Sequence, residues 1–342
     1  MKFVSFLNSV GEERAGLFLN NQVIDLQKNA ATLGLQLPSA MAEILKGWER
    51  NLKLAKMVER AVSDKKLPDL KSFKVDKLLA PVPHPISCRD GYAFRQHVAT
   101  ARRNRNVEMI PEFDQYPIFY FTNHNSIVGE GEVSVEIDHL QQLDFELEAA
   151  IVIGKAGRNI ESKDADSHIA GFTIMNDLSA RVLQMEEMKL NLGPAKGKDF
   201  ATAIGPWIVT PDELEQYRLP TPFGNTYDLE MKAFHNGKEI SRGNLKDMNW
   251  TFAEIIERAS YGVDLYPGDV IGSGTVGTGC YLELNGTWAL EAKATGAAHT
   301  PVWLNDGDSI DLEITGLGRL KNTIVKVSRD YSILAKKKAL PT

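Results

Sequence analysis

The segment Leu143-Asp144-Phe145-Glu146-Leu147-Glu148, running straight into Ala149-Ala150-Ile151-Val152-Ile153-Gly154, constrains this chain more than any other. Side chains two apart share one face of a strand. Asp144, Glu146 and Glu148 are therefore expected on one face, with Phe145 and Leu147 on the other. The Ala-Ala-Ile-Val-Ile continuation has no polar alternation and reads as a strand buried on both faces. Like charges so placed repel. Two arrangements relieve the repulsion: an acidic edge strand in solvent, or a divalent cation held by hard oxygen ligands.

The chain has 342 residues, enough to bury a sizeable core and to hold two domains. At 43% hydrophobic and 25% charged it is ordinary globular material, and a net charge of -6 leaves no basic footprint for nucleic acid. The start, Met1 to Asn8, lacks the apolar core of a signal peptide, and no run approaches the roughly 18 apolar residues of a membrane span. A cytoplasmic protein with no membrane partner is expected. Only Cys88 and Cys280 occur, neither in a Cys-x-x-Cys pair, which argues against a disulfide scaffold or a zinc ribbon. Any metal is expected to be held by oxygen.

The opening reads as short strands, Lys2 to Leu7, Arg14 to Leu19 and Gln22 to Asp25, with Asn20-Asn21 as a hairpin turn. Apolar residues at helical spacing predict a helical stretch from about Met41 to Val62. Leu78-Leu79-Ala80-Pro81-Val82-Pro83-His84-Pro85 then favours extended chain. A domain boundary is placed there, giving a small N-terminal domain over 1–78 and a larger catalytic domain over 79–342. Beyond it, strand patterns dominate: Ile118 to Thr122, Phe145 to Ile153, Trp207 to Val209, Leu229 to Asn236, Tyr281 to Leu284 and Ser309 to Gly316. Helices are expected to start near Asp90, Asp177 and Thr251. The predicted class is mostly β (α+β). No Gly-x-Gly-x-x-Gly or phosphate loop follows a strand, so nucleotide cofactors are not indicated.

Several groups carry candidate chemistry. Asp90 and His97 lie seven apart, two turns of a helix, and could serve one pocket; a helix cap and a structural histidine are the alternatives. Arg102, Arg103 and Arg105 could clamp a carboxylate or form a solvated face. Asp177 falls where a strand ends and a helix begins. Gly193-Pro194-Ala195-Lys196-Gly197-Lys198 could hold Lys198 toward a reacting oxygen, or be a surface loop. The glycines of Gly268 to Gly277 would let backbone approach a ligand. Glu283, read as a partly buried acid in an apolar strand, needs a partner, and His97 is one candidate.

Taken together, Asp90-x-Tyr92-x-x-Arg95-Gln96-His97, Glu146-Leu147-Glu148, Met175-Asn176-Asp177-x-Ser179-Ala180-Arg181-x-x-Gln184, Gly193-Pro194-x-x-Gly197-Lys198, and Ser273-Gly274-Thr275 with Glu283 resemble the fumarylacetoacetate hydrolase family. The resemblance spans roughly Leu78 to Gly318 and is closest to the member from which the family takes its name. It implies a β-rich catalytic domain, a mixed β-sandwich roll, behind a small N-terminal α+β barrel-like domain, and a homodimer. It implies Mg²⁺ or Ca²⁺ held by Asp90, Glu146, Glu148 and Asp177, with Lys198 and Thr202 completing the surroundings and Asp144 either behind them or at the surface. His97 and Glu283 would activate water, while Arg181, Gln184 and Lys198 stabilise a departing carbanion. Tyr92, Tyr120, Gln184 and Thr275 fall on substrate-contact positions. Where the family carries an Arg after the histidine this chain has Asn106, which leaves Arg105 or a neighbour for the distal carboxylate; a further contact Tyr falls on Met188.

The implied substrate is a small dicarbonyl acid. The expected reaction is hydrolysis of a carbon-carbon bond in a 1,3-dicarbonyl acid, with fumarylacetoacetate giving fumarate and acetoacetate in aromatic amino-acid (tyrosine, homogentisate) catabolism. The alternatives are other activities of the superfamily, namely acylpyruvate hydrolase, oxaloacetate decarboxylase, or hydratase or isomerase, and a non-catalytic binding protein that keeps a structural cation.

Overall fold

A computed structural model of the chain describes residues 1–67, 70–73 and 78–336. Leu147–Ile153 is buried along its whole length and lies inside an 11-stranded sheet. Its two faces feed two different cores. Leu147, Ala149, Ile151 and Ile153 pack with Phe172, Phe252, Ile256 and Leu312 on one side. Ala150 and Val152 pack with Phe3, Ile44, Trp48 and Ile208 on the other. That two-sided burial is the physical reason for an unbroken apolar run where a half-exposed strand would alternate.

From one edge the sheet runs Ser72–Phe73, Gln22–Asp25, Glu13–Leu19, Lys2–Leu7, Thr202–Val209, Ile169–Asp177, Leu147–Ile153, Val270–Gly272, Cys88–Gly91, Phe119–Thr122, with Ile127–Val128 parallel to Thr202–Val209. The N-terminal strands join it directly, because Lys2–Leu7 pairs antiparallel with Thr202–Val209. The described strands close no barrel. Asn20 and Asn21 both have positive φ, 49° and 61°, the backbone a two-residue hairpin turn demands. The helical stretch predicted from Met41 is two helices, Met41–Lys46 and Trp48–Ser63, separated by Gly47. A second sheet, in the order Lys238–Asn244, Glu230–His235, Ser309–Ile314, Gly318–Lys326, Gly131–Val135, packs against the face that carries Leu147, Ala149 and Ile151. The α+β class and the strand-rich catalytic part expected from the sequence are what the fold displays.

Three local expectations are corrected. Asp90 opens no helix; it lies in the strand Cys88–Gly91, hydrogen-bonded on both sides to Val270–Gly272 and Phe119–Thr122, and the helix Arg95–Asn104 begins five residues later. Pairing on both edges overrides a local helix signal. Glu283 lies in no strand; Tyr281–Ala294 is a helix, whose later turns, with Ala289, Leu290, Glu291, Ala292 and Lys293, are good helix formers. Four alternating residues were too short a window to tell the two apart. The acidic run is also not one continuous strand. Leu143–Asp144 pairs with Ser179–Ala180 and Leu147–Ile153 with Ile169–Asp177, so the chain changes partner at Phe145-Glu146.

Candidate active site

The sheet's register gathers the acids at one end of neighbouring strands. Asp177 ends its strand opposite Thr202, Leu147 pairs with Asn176, Gly272 pairs with Asp90, and Asp90 pairs with Tyr120. As a result Asp90, Glu146, Glu148 and Asp177, all buried, each offer a carboxylate oxygen within 4.8 Å of the others. Gly272 makes room for them: a Cβ there would sit 2.5 Å from Asp90 Oδ1 and 2.9 Å from Glu148 Oε2. The backbone N–H of Gly274 donates to both of these oxygens, at 3.1 and 3.2 Å. Thr275 Oγ1 lies 3.5 Å from Glu148 Oε1.

Two cations partly offset this charge. Lys198 Nζ donates to Glu146 Oε2 at 2.6 Å and to Asp177 Oδ2 at 2.7 Å, while the Tyr120 hydroxyl also donates to Asp177 Oδ2. Arg181 donates through Nη2 to Glu146 Oε1 at 2.7 Å, through Nε to Asp144 Oδ2 at 2.8 Å and through Nη1 to Gln184 Oε1 at 2.9 Å. The guanidinium and Gln184 thus hold each other and the acids.

The protonation pattern follows from this wiring. Burial alone would raise the Glu146 carboxyl, but Lys198 and Arg181 outweigh it and hold its pKa down to about 2. For Asp90 the balance tips the other way: burial and the neighbouring Asp177 outweigh the hydrogen bond with Glu148 and the pull of Lys198, and push it up to about 8. Burial and Asp90 push Glu148 well above the carboxylate range. Burial also raises Asp177, against the pull of Lys198.

The donor set fits a hard divalent cation. It consists of carboxylate oxygens, of which those of Asp90 and Glu148 are pushed toward the neutral form by burial and by the acids around them, a repulsion a cation would relieve, and Asp177 Oδ1 is buried with no hydrogen-bond partner. Asp90, Glu146, Glu148 and Asp177 would hold such an ion. Lys198 neighbours them through its ammonium, and Thr202, buried beside Asp177, donates its backbone N–H to Ser126 O at 3.1 Å.

His97 and Glu283 meet although they come from different helices: Nδ1 lies 2.7 Å from Glu283 Oε2, and both side chains are buried. Tyr92 stands edge-on to the His97 ring with centroids 5.9 Å apart. Burial raises the Tyr92 hydroxyl pKa while Arg105 works against the rise, so the guanidinium is within electrostatic reach of it. Arg105 itself is exposed at the end of Arg95–Asn104, its Nε bonded to Ala101 O.

Sequence reasoning missed three supports. Asp144 is fully buried, which settles its expected place as behind the acids and not at the surface; it also accepts the N–H groups of Tyr281 at 2.7 Å and Leu282 at 2.9 Å, capping the helix that carries Glu283. Asn176 Oδ1 accepts the Glu146 N–H at 3.0 Å, which fixes the backbone where the acidic run changes partner. Glu187 accepts the N–H groups of Ala195, Lys196 and Gly197 and so anchors the loop before Lys198. Gly197 is needed there, since a Cβ would fall 2.6 Å from Gln184 Cα.

The model of the fumarylacetoacetate (FAA) hydrolase C-terminal family matches residues 87–325. The chain belongs to this family. It is similar to the mitochondrial oxaloacetate tautomerase FAHD2A of Homo sapiens, 31% identical over 292 residues, covering 84% of this chain and 81% of that protein. It is also similar to fumarylacetoacetase of Oryza sativa subsp. japonica, 33% identical over 253 residues but covering 61% of this chain and 58% of that protein. In fold it resembles the crystal structure of maleylpyruvate hydrolase from Sphingobium sp. SYK-6 in complex with manganese(II) and pyruvate, with a TM-score of 0.64 and 21% identity over 95% of this chain and 99% of that one. The family expected from the motifs is therefore established. The tautomerase match extends over far more of the chain than the match to the member that names the family.

Proposed function

We propose that this chain is a divalent-metal-dependent enzyme that interconverts the keto and enol forms of a small 2-oxo diacid of the oxaloacetate class. The observation that carries the reading is the four-carboxylate cluster together with the 2.7 Å His97–Glu283 pair, whose imidazole acts electrostatically on Glu146 of the cluster. The long match to an oxaloacetate tautomerase supports it over the fumarylacetoacetate reading. Mg²⁺ or Ca²⁺ is the proposed ion, and Mn²⁺ suits the same oxygens.

When bound, the ion supplies Lewis-acid polarisation of the substrate's oxygens. The rest of the task falls to the chain. Glu283, as a carboxylate, only accepts, so the Nδ1 of His97 carries its proton and Nε2 is left free to take one from the enol or return one to carbon. Glu283 orients the ring and stabilises its charged form. Lys198 places positive charge, and Tyr120 a neutral hydroxyl donor, beside Asp177, where an enolate oxygen would need them. Arg105, near Tyr92, is the proposed clamp for the distal carboxylate. Tyr92, Gln184 and Thr275 are the remaining proposed contacts, and Arg181 acts by holding Glu146.

A second reading, hydrolysis of a carbon-carbon bond in a 1,3-dicarbonyl acid, is favoured by the same pair, because His97 could equally take a proton from water. Loss of the enol absorbance of oxaloacetate, followed beside product analysis with fumarylacetoacetate and acylpyruvates, separates the two. The expected result is faster enol loss with no new carbon-carbon cleavage products. Release of fumarate and acetoacetate with an unchanged enol rate would move the assignment to hydrolysis.

The protein is further proposed to be a cytoplasmic homodimer. Its two cysteines are buried and free, which suits a reducing compartment. No described helix is long and apolar enough to cross a membrane. Phe121, 63% exposed, and the partly buried Phe119 two residues before it, with ring centroids 5.8 Å apart, give the edge strand Phe119–Thr122 an apolar face that a second copy could cover. Light scattering of the pure protein reads this directly.

A further inference from the structure

Cys280 has no part in the chemistry above, yet it lies against the proton-transfer pair. One ligand atom each from His97, Cys280 and Glu283 falls within 4.8 Å of the others, and all three residues are buried. Sulfur, imidazole nitrogen and carboxylate oxygen form a zinc-type donor set, with a fourth tetrahedral place for water. The neighbouring cluster of four carboxylates is of the opposite kind, all hard oxygen. Two adjacent groups of side chains are thus sorted by softness.

We propose that His97, Cys280 and Glu283 form a second metal site, selective for a thiophilic dication of the zinc class, and that an ion bound there blocks the reaction by occupying the His97–Glu283 pair. A thiolate, a carboxylate and a neutral imidazole carry two negative charges and cancel those of the ion. Cys280 is also an unusual choice for its position. It is the residue that begins the helix Tyr281–Ala294, where Ser, Thr, Asp or Asn would cap, and its side chain makes no capping hydrogen bond. Burial, with Asp144 nearby, keeps the thiol protonated while no ion is present, so it is inert toward oxidants. On binding, the thiol proton leaves to solvent and the metal–sulfur bond replaces it. Of the three residues His97 is the most exposed, at 7%, and the ion would enter past its ring.

The test uses Co²⁺ as a spectroscopic stand-in for zinc, with Mg²⁺ in excess to fill the oxygen cluster. Wild-type protein should develop a near-ultraviolet sulfur-to-cobalt charge-transfer band that saturates at one equivalent and is bleached by Zn²⁺. Cys280→Ser, which suits a helix start, and Cys280→Ala should both lack the band while keeping the wild-type circular dichroism spectrum. Cys280→Ser should also keep the wild-type basal rate and need at least tenfold more Zn²⁺ for half inhibition. Absence of the band in folded wild-type protein overturns the proposal, as does zinc inhibition that is unchanged in Cys280→Ser. The spectrum requires no substrate, so its failure is distinct from failure of the proposed reaction.

Discussion

His97 Nδ1 lies 2.7 Å from Glu283 Oε2, a contact between residues 186 apart in the chain and on two different helices. One hydrogen bond fixes both the ring orientation and which nitrogen is free to move a proton. Replacing His97 with Ala should lower kcat by about 10²- to 10⁴-fold, the usual worth of general acid–base help, with metal content unchanged. Glu283→Gln keeps an acceptor but removes the charge, so a smaller loss is expected. Steady-state kinetics with the metal saturating checks both, and a near-normal kcat for His97→Ala removes the residue from the mechanism.

Glu148→Gln should separate metal affinity from stability. One carboxylate of the cluster is lost, so Mg²⁺ affinity should fall by more than about 100-fold, the upper end of what outer-sphere partners contribute. The metal-free protein should meanwhile melt no lower than wild type, because Glu148 is a raised acid crowded by Asp90 and not the member held by cations. Calorimetric titration and a metal-free melting curve read the two effects.

The metal-free protein should also lose stability as pH rises. Burial and Asp177 place the folded-state pKa of Asp90 at about 8, against an ordinary 3.8. Below about pH 4 the carboxyl is protonated folded or unfolded, and its contribution is complete. Between 4 and 8 the unfolded chain gives up the proton while the folded one keeps it, so stability declines with pH through that window. Metal affinity should move the other way, strengthening about tenfold per pH unit for each proton displaced, with the share due to Asp90 ending above about 8. Glu146, held at about 2, should contribute nothing to the trend. Melting curves without metal and Mg²⁺ titrations across pH 5 to 9 test the pair of slopes; an affinity independent of pH would contradict the protonation pattern.

Lys198→Ala removes the cation shared by Glu146 and Asp177, and the two acids are then buried with only Arg181 and Tyr120 to answer them. Breaking a buried pair in this way costs about 3 to 5 kcal/mol. The loss should appear in urea unfolding of the metal-free variant and shrink when Mg²⁺ is added. A loss that metal does not reduce would mean that the ion and the ammonium do not serve the same carboxylates.

Much of this centre was legible because strand spacing is short-range information. Glu146 and Glu148 beside an apolar run, and Asp177 at the end of another, lie within a few residues of the features that place them. Asp90 was misassigned to a helix because its two flanking strands, Val270–Gly272 and Phe119–Thr122, are distant in sequence and silent in a local window. Glu283 was misassigned to a strand because only the first turn of its helix is buried, so Tyr281, Leu282 and Leu284 imitate alternation. Asp144 gave no sign that it caps that helix, since its partners Tyr281 and Leu282 lie 137 and 138 residues away. Spacing reveals which acids can gather; it does not reveal which backbone they will hold.

The position of Lys198 has one more consequence. Its ammonium already answers the charge where Glu146 and Asp177 converge, so burying these two acids does not by itself call for an inorganic ion. The same contact couples the two carboxylates to each other, so any change that moves one of them is carried to the second through a single nitrogen.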